Sequence, residues 1–163
     1  MRAYQIFAAM TPERCEEVFG KIAKQSPATF TQAVYASAAA MKARPQFLVK
    51  QPFPKRAAAV RRALARVASN GVAEEMLAVY FLECENKVLV EWLDGLGIAH
   101  EEGTLKEDAP PQPEDAKLRE AIASFRGDDS DLDRLLLLQA FAAQSAVDWP
   151  ILDEVLDAAE GSA

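Results

Sequence analysis

The chain has 163 residues, about the length of one domain, and half of them are hydrophobic, so it can build a core without disulfides or a structural metal. Its two cysteines are too few for a disulfide framework, and we expect a cytoplasmic protein with free thiols. The net charge of −7 argues against a general nucleic-acid binder, and the lack of any long uncharged apolar run argues against a membrane span.

Helical periodicity begins near the N-terminus and continues through most of the chain. Thr11-Pro12 predicts a helix start, because threonine can cap the first turn and proline fits the first helical position. Ser26-Pro27 repeats this signal before an alanine-rich helix. Prolines then bracket residues 46–51, which are either a turn of helix or an extended link.

An amphipathic basic helix is predicted from residue 54 to about residue 68. Its five basic residues are the candidates for partner binding: Lys55, Arg56, Arg61, Arg62 and Arg66. On a helical projection, Arg62 and Arg66 fall within about 20° of Lys55 and form with it a narrow basic stripe opposite the apolar face. The other two arginines flank the apolar face, where their stems can cover it while the guanidinium groups reach water.

The segment from about residue 72 to residue 94 has no proline or glycine and is apolar on most sides. A helix of this kind is normally surrounded by others, so we predict a central helix with Trp92 buried. This helix is either continuous or broken near Glu85-Asn86-Lys87. Three more helices follow, the second of them capped by Ser130 or Asp131. With no strand pattern present, the sequence predicts an all-α bundle of about seven to nine helices in a single domain over residues 1–163.

The only histidine, His100, is followed by Glu101 and Glu102 in an irregular stretch. Imidazole beside carboxylates is typical of acid–base and metal sites, but a single histidine makes a weak ligand set. The alternative is that His100 caps the preceding helix. We therefore assign no catalytic residue, no metal site and no cofactor, and keep these three residues as weak metal candidates. A stiff, proline-rich connection is expected over residues 105–113.

Charge divides the chain into a basic half and an acidic half. Residues 1–73 contain twelve Lys and Arg against three Asp and Glu, whereas residues 74–163 contain six against 22. An asymmetry of this size favours electrostatic docking, either onto a partner or of one half onto the other.

The expected function is a non-catalytic helical module that binds another protein, or a second copy of itself, through charge-complementary surfaces. One alternative is an enzyme or metal-binding protein with its site at His100. A second is binding of nucleic acid or an anionic surface through helix 54–68, although few aromatic residues accompany its cations and the acidic half repels phosphate. The basic stripe can also be a plain solvated face, or be neutralised by the acidic half of the same molecule.

Overall fold

The computed structural model describes residues 1–127 and 130–160 and divides the chain into two units. The N-terminal unit is Arg2–Cys84, and the C-terminal unit is Glu85–Ala163 together with Met1. The predicted all-α class is confirmed, because the described residues form ten α-helices and only one very short hairpin. The single domain expected over residues 1–163 stays a prediction.

The N-terminal unit contains six α-helices, a 3-10 turn and a π-helical segment. These are α1 Ala3–Ala9, α2 Pro12–Gln25, α3 Pro27–Ala40, α4 Pro45–Val49, α5 Phe53–Leu64, the 3-10 turn Val67–Ser69, α6 Asn70–Val79 and the π-helical segment Tyr80–Cys84. Its core is built on a row of packed rings in which Phe7 lies 5.7 Å from Phe19, Phe19 lies 6.1 Å from Phe30, and Phe30 lies 5.6 Å from Phe53 between ring centroids.

The predicted helix starts are confirmed. The Thr11 hydroxyl oxygen accepts a hydrogen bond from the Arg14 amide at 3.2 Å and caps α2, and Pro12 takes the first helical position. Pro27 takes the first position of α3, but the cap predicted at Ser26 is wrong, because its hydroxyl hydrogen-bonds to the Thr29 hydroxyl at 2.8 Å and accepts from no main-chain amide of the first turn. The sequence predicted either a turn of helix or an extended link for residues 46–51. Most of these residues lie in α4.

The predicted helix over residues 54–68 ends early, at Leu64. Ala65 closes α5, and Arg66 is extended with φ −99° and ψ 142° before the 3-10 turn Val67–Ser69. The prediction of a basic stripe that includes Arg66 on this helix is therefore wrong. The Arg66 guanidinium donates a hydrogen bond to the main-chain oxygen of Ala40 at 3.2 Å, a tertiary contact that no helical projection contains.

The predicted central helix over residues 72–94 is two separate helices. The chain leaves helical geometry at Glu85, where φ is −119° and ψ is 43°, and this residue is also the boundary between the two units. The break falls at the polar triplet Glu85-Asn86-Lys87. Asn86 begins the next helix, and its side-chain amide donates a hydrogen bond to the Glu102 main-chain oxygen at 2.8 Å. Each part of the segment packs within its own unit.

The C-terminal unit contains α7 Asn86–Leu96, the strands β1 His100–Glu101 and β2 Thr104–Leu105, α8 Asp115–Arg126, α9 Leu132–Ala142 and α10 Pro150–Glu160. The burial predicted for Trp92 is confirmed, and its ring lies 5.2 Å from that of Phe125 and 6.0 Å from that of Phe141. Asp131 is the cap of α9, because its carboxylate accepts from the amides of Asp133 and Arg134.

Two details of this unit differ from the sequence-based expectation or extend it. The hairpin of β1 and β2 was not predicted, since two-residue strands leave no alternating pattern to detect.

The proline-rich stretch is held at the start of α10. The Trp149 indole donates to the Pro110 main-chain oxygen at 2.8 Å, and the Ile151 amide donates to the Gln112 side-chain oxygen at 3.1 Å.

Candidate functional site

The five basic candidates of residues 54–68 have different surroundings in the structure. Arg61 is half-buried, and its guanidinium donates two hydrogen bonds to the main-chain oxygen of Met10, at 2.7 Å and 3.0 Å. Met10 ends α1, so this arginine caps the carboxyl end of that helix. Its charge is therefore used inside the N-terminal unit.

Arg56 packs against aromatic rings. Its guanidinium carbon lies 5.7 Å from the ring centroid of Phe30 and 5.8 Å from that of Phe53, within the usual range of cation–π contacts. Its Nε atom is buried and has no hydrogen-bond partner among the described residues. The sequence placed this side chain beside the apolar face, and the structure agrees with that placement.

Lys55 and Arg62 remain as exposed cations on α5. With the exposed Ala58 between them, they follow one another at spacings of three and four residues, which is one face of a helix. Arg66 is also exposed but lies beyond the helix end and donates to Ala40. Only two of the five candidates thus form an outward cationic face on this helix.

That cationic face borders a groove of about 530 Å³ in the N-terminal unit, here called the α4–α5 groove. Its walls come from the start of α2, the end of α3, α4 and α5, and most of the lining is apolar. The lining residues are Pro12, Cys15, Glu16, Met41, Ala43, Phe47, Leu48, Gln51, Lys55, Ala57, Ala58, Ala59, Arg61 and Arg62.

The rim of the α4–α5 groove combines an exposed aromatic ring with positive charge. Phe47 on α4 is 67% exposed, the largest exposed fraction among the big apolar side chains described. Lys55 and Arg62 lie on the α5 side. Among the described lining residues, Glu16 is the only carboxylate. An apolar depression with two free cations and one acid suits a ligand that is both apolar and negatively charged.

Cys15 lines the base of the α4–α5 groove and is almost completely buried. Burial raises the pKa of its thiol from 9.0 to about 11, and the nearby Arg61 guanidinium opposes this only in part. A thiol with so high a pKa is protonated at neutral pH and is a poor nucleophile. Cys15 is a free cysteine, as the sequence predicted.

His100 is held by both of its ring nitrogens. The Gly103 amide donates to Nδ1 at 3.1 Å, so in the neutral ring the proton lies on Nε2, which is 2.8 Å from an Asp94 carboxylate oxygen. Asp94 is in the last turn of α7, so the imidazole joins the hairpin to the end of that helix. His100 contacts the end of the preceding helix, as the capping alternative predicted. Its partner there is the Asp94 side chain and not a main-chain carbonyl.

Glu101 and Glu102 lie exposed on the same hairpin. Glu102 and Gly103 form its two-residue loop, and both have positive φ, 51° and 92°, as a type I′ turn requires. Among residues 1–127 and 130–160, no three His, Cys, Asp or Glu side chains are arranged to hold a metal ion. Both nitrogens of His100 are already engaged, so the ring has no free lone pair for a metal while these contacts hold.

The groove itself was missed by the sequence analysis, although one signal for it was present. An aromatic residue, Phe47, stands between prolines that make its segment a short rigid helix. What could not be predicted is that α4 packs on α3 beside α5 and leaves a depression between them.

No protein-family model, no curated protein and no solved structure matches this chain. Within the part of the chain that the structure describes, no helix combines the length and apolar character needed to cross a bilayer.

Proposed function

We propose that this chain is a non-catalytic protein-interaction module and that the α4–α5 groove binds an acidic protein segment. The observation that carries the proposal is the rim of the groove, where exposed Phe47 lies near exposed Lys55 and Arg62 and Glu16 is the only carboxylate among the described lining residues. Such a rim favours a segment with an apolar anchor and flanking Asp or Glu side chains.

The two parts of the rim contribute in different ways. Burying a Phe side chain under a ligand contributes about 1.5–3 kcal/mol, so Phe47 is the source of affinity. Exposed charge pairs contribute less to affinity, but they raise the association rate and exclude basic ligands. We therefore expect binding that is moderate in strength and weakened by salt.

The nucleic-acid alternative has less support. Arg56 stacks on rings, Arg61 caps α1 and Arg66 donates to Ala40. The affinity of a protein for phosphate depends on how many cations it can place on the backbone. With Lys55 and Arg62 as the two outward cations of α5, such binding would be weak.

The enzyme alternative at His100 has less support. The ring nitrogens are engaged by Gly103 and Asp94, and Glu101 and Glu102 point to solvent from the hairpin. A general base needs a free lone pair aimed at a substrate, and both ring nitrogens of His100 are already engaged.

The proposal is tested by selecting peptides from a random phage-displayed library on the purified, immobilised chain. We expect the enriched sequences to be acidic with one aromatic or aliphatic anchor. Their affinity is then measured by fluorescence anisotropy against the wild type, Lys55→Gln/Arg62→Gln and Phe47→Ser. Each variant should weaken binding at least about tenfold.

A matched control removes the same number of positive charges from residues that do not line the groove. Lys24→Gln/Arg44→Gln removes two exposed cations that do not line the groove and should bind the selected peptides as the wild type does. Enriched peptides that bind all variants equally would contradict the proposal. Tighter binding of a single-stranded DNA oligonucleotide than of any selected peptide would favour the nucleic-acid alternative.

A further inference from the structure

We infer that the segment bound in the α4–α5 groove is the acidic hairpin of a second copy of this chain, residues 100–108, so that copies associate head to tail. This inference rests on the proposed function and names its partner. The groove belongs to the N-terminal unit and the hairpin to the C-terminal unit, so every copy carries one of each.

The two units carry opposite charge. The N-terminal unit, Arg2–Cys84, has twelve Lys and Arg against six Asp and Glu, a net charge of +6. In the C-terminal unit, Glu85–Ala163 has six against nineteen, a net charge of −13. Opposite potentials on two surfaces attract and orient them during encounter. A second copy therefore presents to the groove the kind of surface that its rim favours.

The hairpin region concentrates exposed acidic side chains in a short stretch. Residues 100–108 have one positive side chain, Lys106, and four exposed carboxylates, which are those of Glu101, Glu102, Glu107 and Asp108. In the same stretch, Leu105 is only partly buried and offers apolar surface. This is the composition that the groove rim requires: negative charge beside a small apolar anchor.

The hairpin is also fixed in shape before any partner arrives. His100 joins it to Asp94, the Asn86 side chain donates to the Glu102 main-chain oxygen at 2.8 Å, and the Lys106 amide donates to the Ala99 oxygen at 3.1 Å. A segment that is already ordered loses little conformational entropy on binding. Rigid placement lets a small contact area give measurable affinity.

The geometry of such a contact predicts an open-ended assembly. The groove and the hairpin are different surfaces, so one contact leaves a free groove on one copy and a free hairpin on the other. Because each copy is −7 overall, long-range repulsion opposes growth at very low salt, and added salt screens both this repulsion and the local ion pairs. We expect weak association that is strongest at low to moderate ionic strength.

The test uses two neutralised variants of the full chain. The groove variant is Lys55→Gln/Arg62→Gln. The hairpin variant is Glu101→Gln/Glu102→Asn/Glu107→Gln/Asp108→Asn, in which asparagine suits the positive φ of residue 102. The control is Lys24→Gln/Arg44→Gln. Sedimentation velocity is run over a range of protein concentrations at about 50 mM and about 500 mM NaCl.

The wild type and the control should form species that grow with concentration at the lower salt and dissociate at the higher salt. Each neutralised variant alone should be monomeric or associate at least about tenfold more weakly. Mixed together, the two variants should form a 1:1 complex that does not grow, since only one intact groove and one intact hairpin remain per pair.

A wild type that stays monomeric at all concentrations, or a groove variant that associates as the wild type does, would overturn the inference. So would a mixture of the two variants that forms no 1:1 complex. If the peptides selected on the wild-type groove still bind it in that case, the proposed function stands and only the self-partner is wrong. If those peptides also fail to bind, both proposals fall.

Discussion

Arg61 and Met10, which are 51 residues apart in the chain, are joined by two hydrogen bonds from one guanidinium group to one main-chain oxygen. The contact ties the last turn of α5 to the end of α1 and satisfies a carbonyl that the helix itself leaves unpaired. Its neighbour in sequence, Arg62, is exposed on the groove rim. Of these two adjacent arginines, Arg61 therefore stabilises the fold of its unit, and Arg62 contributes positive charge to the surface beside the groove.

Arg61→Met should lower the free energy of unfolding of the N-terminal unit by about 1.5–3 kcal/mol, because a hydrogen bond from a charged donor to the Met10 carbonyl is lost. Arg62→Met is the matched control and should change it by less than about 0.5 kcal/mol. Urea unfolding is followed by far-ultraviolet circular dichroism. Tryptophan fluorescence would report on the C-terminal unit, because both tryptophans lie there. Equal losses in the two variants would contradict the division of roles.

The two buried tryptophans of the C-terminal unit provide a second comparison. The Trp149 indole donates to Pro110 at 2.8 Å, whereas the Trp92 indole nitrogen has no hydrogen-bond partner among the described residues. Trp149→Phe leaves a buried carbonyl unpaired and should destabilise by about 1–3 kcal/mol beyond the loss of ring volume. Trp92→Phe loses similar volume but also removes an unsatisfied donor, so its destabilisation should be smaller.

This comparison has a local readout as well as a global one. Trp149→Phe should increase proteolytic cleavage within the proline-rich stretch around Pro110, because one of its anchors to α10 is gone. Trp92→Phe should leave that cleavage unchanged. Thermal unfolding and limited proteolysis of the two variants check both expectations, and a larger destabilisation in Trp92→Phe would refute the role of the hydrogen bond.

Cys15 should make the stability of the N-terminal unit depend on pH in the alkaline range. Its pKa is about 11 when folded and near 9.0 when unfolded, so the folded state favours the protonated thiol. This contribution is complete below about pH 9 and is lost as the pH rises toward 11, by roughly 1–3 kcal/mol over the full range. Cys15→Ala should remove that part of the pH dependence, and Cys84→Ala, the control, should keep it.

The same burial should protect Cys15 from alkylation. With iodoacetamide at about pH 8, the partly exposed Cys84 should be modified first, and Cys15 only as the unit opens. Peptide mapping by mass spectrometry distinguishes the two sites. Modification of Cys15 at the rate of Cys84 would mean that the thiol is accessible in the folded state.

The type I′ turn at Glu102-Gly103 should respond in opposite directions to two substitutions. Glu102 has a positive φ that asparagine adopts more readily, so Glu102→Asn should raise stability by a few tenths to about 1 kcal/mol. Gly103→Ala places a Cβ where φ is 92° and should lower stability by about 1 kcal/mol or more. Thermal unfolding measures both, and a loss on Glu102→Asn would show that the glutamate itself stabilises the turn.

The sequence alone determined the features that depend on neighbours in the chain. Helical periodicity predicted the all-α class, the cap at Thr11 was visible as a polar residue before an apolar run, and the cap of α9 was narrowed to Ser130 or Asp131. The burial of Trp92 also followed from its apolar surroundings along the helix. All of these depend on spacings of a few residues, which is the range over which a helix repeats.

Only the tertiary structure decided which partners the basic residues contact and where the predicted central helix is interrupted. The helix of residues 54–68 was projected as ideal, but α5 ends at Leu64, and Arg66 then binds the end of α3. Arg61 was placed correctly beside the apolar face, yet its partner, Met10, is 51 residues away and no local pattern contains it. The α4–α5 groove likewise exists only because helices distant in sequence pack side by side. Contacts of this kind depend on three-dimensional packing, which residue periodicity does not encode.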